Sequence, residues 1–370
     1  MKKIFFVALG ATLLAASCQK TEIINHVGDA LTFSTGMGKL TKADDAGDMT
    51  TLKSQNFSVW AYYAADDQHT NGDDTHAVYG GIDNVVVSFG DNDKWGTTEQ
   101  YYWPGVGKEL IFFAVSADEA TIGTKENTKV DIDDDRTYLT VNEFVVNPNE
   151  PKVDLMVADV VQQHQGDKVV DLKFHHTLSK VEFWFQTEDT GDDVDVVVKS
   201  LKVAGVSTKG TFSTKELPES VDPETKAEGD EVVEGEGEGE GEGENSNAGG
   251  TNNYQGTVNT VGFFWSSLSE PKEFTVANGK YVADAALTTT AVLYSNWLVI
   301  PQGIGDKTVE VVYTIGGKQF TSVFPLYTSS LTKWEHNQYV KYTITLAPNV
   351  ISFNPSVDDW DDAVGSEMTN

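Results

Sequence analysis

Two adjacent histidines, His175 and His176, head the residues in this chain whose types could do chemistry. Imidazole is the side chain that most readily moves a proton or holds a metal near neutral pH. On a β-strand, however, successive side chains point to opposite faces, so these two cannot close on one ion. The simpler expectation is that one of them is a buried or hydrogen-bonded core residue. His26, His69, His76, His164 and His336 stand in polar surroundings without a histidine partner four residues on. Two acidic runs, Asp91-Asn92-Asp93 and Asp131 to Asp135, offer oxygens to calcium. Neither has the glycine and closing glutamate of an EF-hand loop, so each reads first as a solvated turn. Tyr101-Tyr102-Trp103, ahead of Pro104, could stack on a sugar or simply pack a sheet. No His-Glu-x-x-His, Cys-x-x-Cys or Gly-x-Ser-x-Gly pattern occurs. A glycan hydrolase needs a converging carboxylate pair, and no pattern singles one out among 57 acidic residues. These residues therefore predict no catalytic site, no bound metal and no cofactor.

Charge narrows the partners. With 26 basic against 57 acidic side chains the formal charge is −31, and Arg136 is the only arginine. Nucleic acid needs a basic face for its phosphates, so it is not an expected partner. At the other end of the inventory stands one thiol. Lys2 and Lys3 precede an apolar run from Ile4 to Ala16, too short to cross a bilayer. Ala15, Ala16 and Ser17 then lead to Cys18, the single cysteine of the sequence. That order resembles the lipobox of bacterial lipoproteins. The resemblance implies that residues 1–17 are a signal peptide and that Cys18, diacylated through its thiol, begins the mature chain and ties it to the membrane. One acylated cysteine leaves no disulfide and no thiol nucleophile, so the fold must be held by its core.

The elements that must position any site are strands. Short β-type runs recur between Gly, Asn and Asp clusters, among them 31–34, 57–63, 77–79, 85–89, 110–115 and 155–160. Further runs are 169–174, 180–185, 196–203, 263–265, 292–300, 309–314, 319–324 and 339–346. No long amphipathic helix stands out. In Phe57-Ser-Val-Trp-Ala-Tyr-Tyr63 the odd positions share one face, as in a half-buried strand. The spacing predicts an all-β chain of antiparallel sandwiches. From 216 to 253 the sequence is polar and acidic, with an uninterrupted Glu-Gly alternation from Glu234 to Glu244. Glycine entropy and like-charge repulsion predict a disordered insertion there. The polar stretch Gln162 to Asp167 is the expected boundary between an N-terminal unit, 43–165, and a C-terminal one, 166–370.

Several stretches in order resemble the fimbrillin family, lipoprotein precursors of pili. They are Leu31-Thr-Phe-Ser-Thr35 with Leu40-Thr-Lys-Ala43, Phe57-Ser-Val-Trp-Ala-Tyr62, Tyr101-Tyr-Trp-Pro104 and Leu110-Ile-Phe-Phe-Ala114. Leu172-Lys-Phe-His-His-Thr-Leu-Ser-Lys-Val181 is the most specific piece. Leu298-Val-Ile-Pro-Gln302, Trp334 with Tyr339-Val-Lys-Tyr342, and Ile351-Ser-Phe-Asn-Pro-Ser-Val357 with Trp360 complete the series. The resemblance implies two transthyretin-like β-sandwich domains in tandem, the second carrying the Glu-Gly insertion. It also implies that residues 18–42, a lipidated tether and first strand, are a propeptide removed at the cell surface. The usual Thr-Arg-Ala cleavage site stands here as Thr41-Lys42-Ala43, so a lysine-tolerant protease is required, cutting between Lys42 and Ala43. The groove so opened would take a strand from a neighbouring subunit, often its C-terminal one.

Two segments have the pattern strand exchange needs. Leu31 and Phe33 form one apolar pair, and Ile351, Phe353, Pro355 and Val357 fall on one face at a period of two. Each such side chain, once buried, contributes roughly 1.5–3 kcal/mol before ordering costs. Residues 351–357 read equally as an ordinary last strand of their own domain. The implied partners are other pilin subunits and the outer membrane through the Cys18 lipid, with host or bacterial surface ligands open. The implied place is the outer membrane and then a surface fimbria serving adhesion. The alternative is a surface glycan-binding lipoprotein that does not polymerise.

Overall fold

Alternation of apolar and polar residues becomes sheet in nearly every run where it occurs. The computed structural model describes residues 29–37, 49–64, 77–90, 93–105, 108–116, 129–146, 153–167, 169–188, 194–216, 257–259, 262–277, 285–348 and 351–360. The first half contributes β1 (Thr32–Met37), β2 (Phe57–Tyr63), β3 (Val85–Gly90), β4 (Lys94–Thr97), β5 (Glu109–Ser116), β6 (Lys129–Ile132), β7 (Leu139–Val145), β8 (Met156–Ala158), β9 (Val160–His164) and β10 (Val169–His176). The second half contributes β11 (Ser179–Gln186), β12 (Val196–Ser213), β13 (Thr257–Asn259), β14 (Phe264–Ala277), β15 (Val292–Val299), β16 (Gln302–Gly303), β17 (Thr308–Ile315), β18 (Lys318–Pro325), β19 (Lys333–Trp334), β20 (Gln338–Leu346) and β21 (Ile351–Asp359). A seven-residue helix, α1 (Met49–Gln55), interrupts them. The chain is all-β, as its periodicity predicts.

Nine strands form one sheet in the order β13-β9-β5-β2-β3-β4-β1-β10-β8, and β8 also pairs with β5. The strands β5, β2, β3, β4, β1, β10 and β8 therefore close a ring. Closure removes free edges, and the ring interior fills with Leu31, Phe57, Trp95, Phe112, Leu172 and Phe174. In the other half, the four-stranded sheet β15-β11-β20-β21 shares a core with the β18-β17-β12 part of a six-stranded sheet. Phe183, Phe185, Trp297, Val311, Tyr313 and Tyr342 fill the space between.

A third cluster joins the halves. Trp60 and Phe113 point away from the ring interior that Val59 and Phe112 line, and meet Leu155, Leu178, Phe212, Leu298, Ile300 and Trp360. Burial on both faces explains why β2 and β5 are apolar almost throughout and not alternating. The 18-residue β12 serves two cores: Val196 to Val203 line the C-terminal one, and Phe212 joins the third cluster. Between them the pairing with β14 slips after Val203, where Gly205 takes a φ of 77° that a side chain would strain. Beyond that bulge β12 pairs with β7, so residues 139–145 lie with the C-terminal strands. The polar stretch 162–167 ends β9 and turns tightly: the His164 N–H donates to Asp167 Oδ2 at 3.0 Å, and the Gly166 N–H to His164 Nδ1 at 2.9 Å. Strands on both sides of it, β9 and β10, belong to the nine-stranded sheet.

Candidate functional site

The first strand is a stave of the ring. β1 runs parallel to β10 from Thr32–Val169 to Met37–Phe174, and its other edge meets β4 at Phe33–Trp95. Leu31, Phe33 and Met37 are 4%, 8% and 6% exposed and point into the ring core. Their spacing gives the buried face a period of two; the sequence pattern showed Leu31 and Phe33 but left out Met37. Phe33 sets its ring edge against Phe57 (6.3 Å, 84°) and Phe112 (6.4 Å, 88°), a favourable quadrupole arrangement. The strand enters through Leu31 N–H to Tyr101 carbonyl, 2.9 Å, while Trp103 N–H reaches the Asp29 carbonyl at 3.0 Å. Ser34 Oγ donates to Asp171 Oδ1 at 2.7 Å on the outer side. The hydroxyl of Thr35 is buried with no hydrogen-bond partner among the described residues.

The last strand is held differently. β21 pairs antiparallel with β20 over nine residue pairs, from Gln338–Asp359 to Leu346–Ile351. Its face Ile351, Phe353, Pro355, Val357 lies opposite the buried Leu346, Ile344, Tyr342 and Val340, so it points to the core side. Yet Ile351 and Val357 are 46% and 42% exposed, and no residue of β21 itself is buried. Only Phe353 has substantial packing, stacked on Phe324 (5.3 Å, 6°) and on Tyr342 (5.1 Å, 23°). Burial pushes the Tyr342 phenol well above its ordinary range, and its oxygen accepts from Trp334 Nε1 at 3.0 Å.

The histidine pair lies at the junction of the halves. As expected for a strand, the two rings diverge: His175 Nε2 is 3.1 Å from Asp159 Oδ1, and His176 Nδ1 is 2.8 Å from Asp154 Oδ2. His176 and Asp154 have fully buried side chains. His336 stacks on Phe263 (4.2 Å, 9°), and burial holds its imidazole below the usual histidine range. No group of three His, Cys, Asp or Glu among the described residues is arranged to hold a metal. In the 131–135 run Asp133 spends its oxygens on its own turn, accepting from the Thr137 and Tyr138 N–H groups at 2.6 and 2.7 Å. Asp131 is paired with Lys129 and Asn142. Trp103 is 2% exposed and packs its ring edge on Phe112, so it is core and not a sugar platform. Tyr79 OH donates to the Tyr102 carbonyl, and burial raises its pKa to about 12. Cys18, Lys42, Ala43, His26, His69, His76, Asp91, Asn92 and the Glu-Gly run lie outside the described residues.

Among the described residues the two His–Asp pairs are buried at the junction of the halves, and no group of three ligands converges. What the arrangement provides is one deeply buried first strand and one poorly covered last strand. A family model described as fimbrillin-like matches residues 41–360. The chain belongs to the fimbrillin-like family. Its fold is similar to that of a fimbrial protein from Bacteroides vulgatus, at 15% identity and a TM-score of 0.53, over 90% of this chain and 100% of that one. A protein provisionally assigned to cell adhesion from Bacteroides ovatus aligns at 11% identity and a TM-score of 0.47, over 90% and 98% of the two chains. No curated protein matches the sequence. The match to the fimbrillin-like model begins at Thr41, so β1 lies ahead of the matched span.

Proposed function

We propose that this fimbrillin-like protein is a non-enzymatic subunit of a cell-surface fimbria, assembled by strand exchange between copies and serving adhesion. Cys18 anchors the precursor to the outer membrane, and cleavage between Lys42 and Ala43 releases residues 18–42, β1 included. One observation carries the proposal: the last strand repeats the first in apolar spacing. Ile351, Phe353 and Val357 stand two and then four residues apart, as do Leu31, Phe33 and Met37. Loss of β1 would open the ring between β10 and β4, leaving a slot one strand wide with pockets for three side chains. A donated 351–357 laid along β1 puts Ile351 at Leu31, Phe353 at Phe33 and Val357 at Met37. Pro355 falls at Thr35, replacing a buried hydroxyl that has no hydrogen-bond partner among the described residues, and Asn354 falls at Ser34 with a donor for Asp171. Strand addition of this kind pairs the backbone and fixes register through alternate side chains.

The register makes the proposal testable. Thr32 pairs with Val169, so Ser352 of one copy should lie beside Val169 of the next. The mature chain carrying Ser352→Cys and Val169→Cys is cut with a lysine-directed protease under oxidising conditions. Multimers linked by a disulfide between copies are the expected product, seen by non-reducing gel and electron microscopy. A chain that loses residues 18–42 and stays monomeric, or cross-links only in another register, would refute strand donation in this form.

A further inference from the structure

A strand that leaves its own domain must first come loose, and among the described residues β21 has a single deep anchor. Its nine residues carry no buried side chain, but Trp360, next along the chain, is 3% exposed. The indole stacks on His176 with ring centroids 3.9 Å apart and planes 7° from parallel. Behind it His176 Nδ1 lies 2.8 Å from Asp154 Oδ2. Asp154 in turn is held at both backbone groups: its N–H donates to Gln55 Oε1 at 2.9 Å, and its carbonyl accepts from Gln55 Nε2 at 3.2 Å. The Trp360 N–H donates to the Asn337 carbonyl at 2.9 Å. The indole therefore bridges from the C-terminal strand to β10, a stave of the ring.

The topology makes this contact a lock. β21 follows β20 as the second arm of a hairpin, so its Ile351 end is tied by the turn. Edge strands open by fraying from a free end, where the fewest bonds are lost per step. At the end of β21 away from that turn, the buried contact among the described residues is Trp360. The geometry points to Trp360 as a latch that holds β21 in its own subunit, with release of the indole from His176 as the step that frees the strand. The inference deepens the strand-donation proposal by naming what controls the donor, and it concerns a positioning residue outside the 351–357 segment.

The test uses the unprocessed, monomeric chain and reads amide hydrogen exchange by mass spectrometry. Trp360→Ala is expected to raise exchange across 351–359 at least about a hundredfold, given the usual cost of truncating a buried tryptophan. Amides of β1 and β2, inside the ring, should keep wild-type rates. Trp360→Phe, which keeps an aromatic face for His176, should give a smaller rise confined to the same residues. Wild-type exchange over 351–359 in both variants would overturn the latch. So would general loss of protection, because the indole would then hold the whole fold and not one strand. Polymerisation is read separately after lysine-directed cleavage. A variant with a freed β21 that still fails to assemble would overturn strand donation and leave the latch standing.

Discussion

Strand donation, as proposed, puts Phe353 of one copy where Phe33 lies in the precursor, and so predicts that truncating them has opposite consequences. In the unprocessed chain Phe33 is 8% exposed, with edge contacts to Phe57 and Phe112 inside a closed ring. Phe33→Ala should therefore cost about 3–4 kcal/mol, the usual range for a buried phenylalanine. Phe353 lies on an edge strand, partly covered by Phe324 and Tyr342. Phe353→Ala should cost about 1–2 kcal/mol, since its side chain is only partly buried and the edge position can relax around the loss. After removal of β1 the order reverses. Phe33 has left with the propeptide, so Phe33→Ala should assemble as the parent does. Phe353 now fills the pocket at the Phe57 and Phe112 rings, and its loss should weaken each subunit junction by about 3 kcal/mol, or roughly two decades in affinity. Urea unfolding of the precursor, followed by tryptophan fluorescence, gives the first pair of numbers. Light scattering after lysine-directed cleavage gives the second. Equal stability costs for the two variants would refute the burial difference, and equal assembly defects would refute the swap.

Three further outcomes follow from single sites. Burial depresses the folded-state pKa of His336, so the unfolded chain binds more protons below pH 6.5 and stability falls as pH drops through that value. His336→Phe should flatten the fall in Tm between about pH 7.5 and 5.5, checked by thermal melts across pH; an unchanged slope would contradict the assignment. Glu182 is fully buried and accepts from Tyr339 OH at 2.6 Å and Trp184 Nε1 at 2.7 Å, with Lys180 Nζ 3.6 Å away. Glu182→Ala should cost about 3 kcal/mol by stranding a buried lysine, and Glu182→Gln clearly less, as read by urea midpoints. Tyr342→Phe should cost about 1–3 kcal/mol, because Trp334 Nε1 loses its acceptor in the core. A neutral result there would mean that water replaces the phenol.

Much of the sheet was legible because alternation is a local property. The run 57–63 and the segment 339–346 each show their strand character within one or two turns of sequence, and the structure has β2 and β20 there. The divergence of His175 and His176 followed from the same period of two. Short or exposed strands left little signal: β4 (Lys94–Thr97) has Trp95 as its one buried residue, β14 is largely exposed and showed only its first residues in the run 263–265, and the run 196–203 stopped ten residues short of the end of β12. Met37 was missed because Gly36 and Thr35 dilute the pattern that Leu31 and Phe33 begin. Pairing lay outside the sequence altogether. Which strand lies beside which is decided by contacts between residues such as Phe33 and Trp95, or Trp360 and His176, far apart along the chain. Those contacts form only when the ring and the sandwich close, and loop-closure entropy weighs against them until many form together. The sequence by itself determined that this chain would bury β-strands and that its adjacent histidines would face opposite ways. The tertiary structure decided that the first strand would be buried on its inner face and the last one left half open.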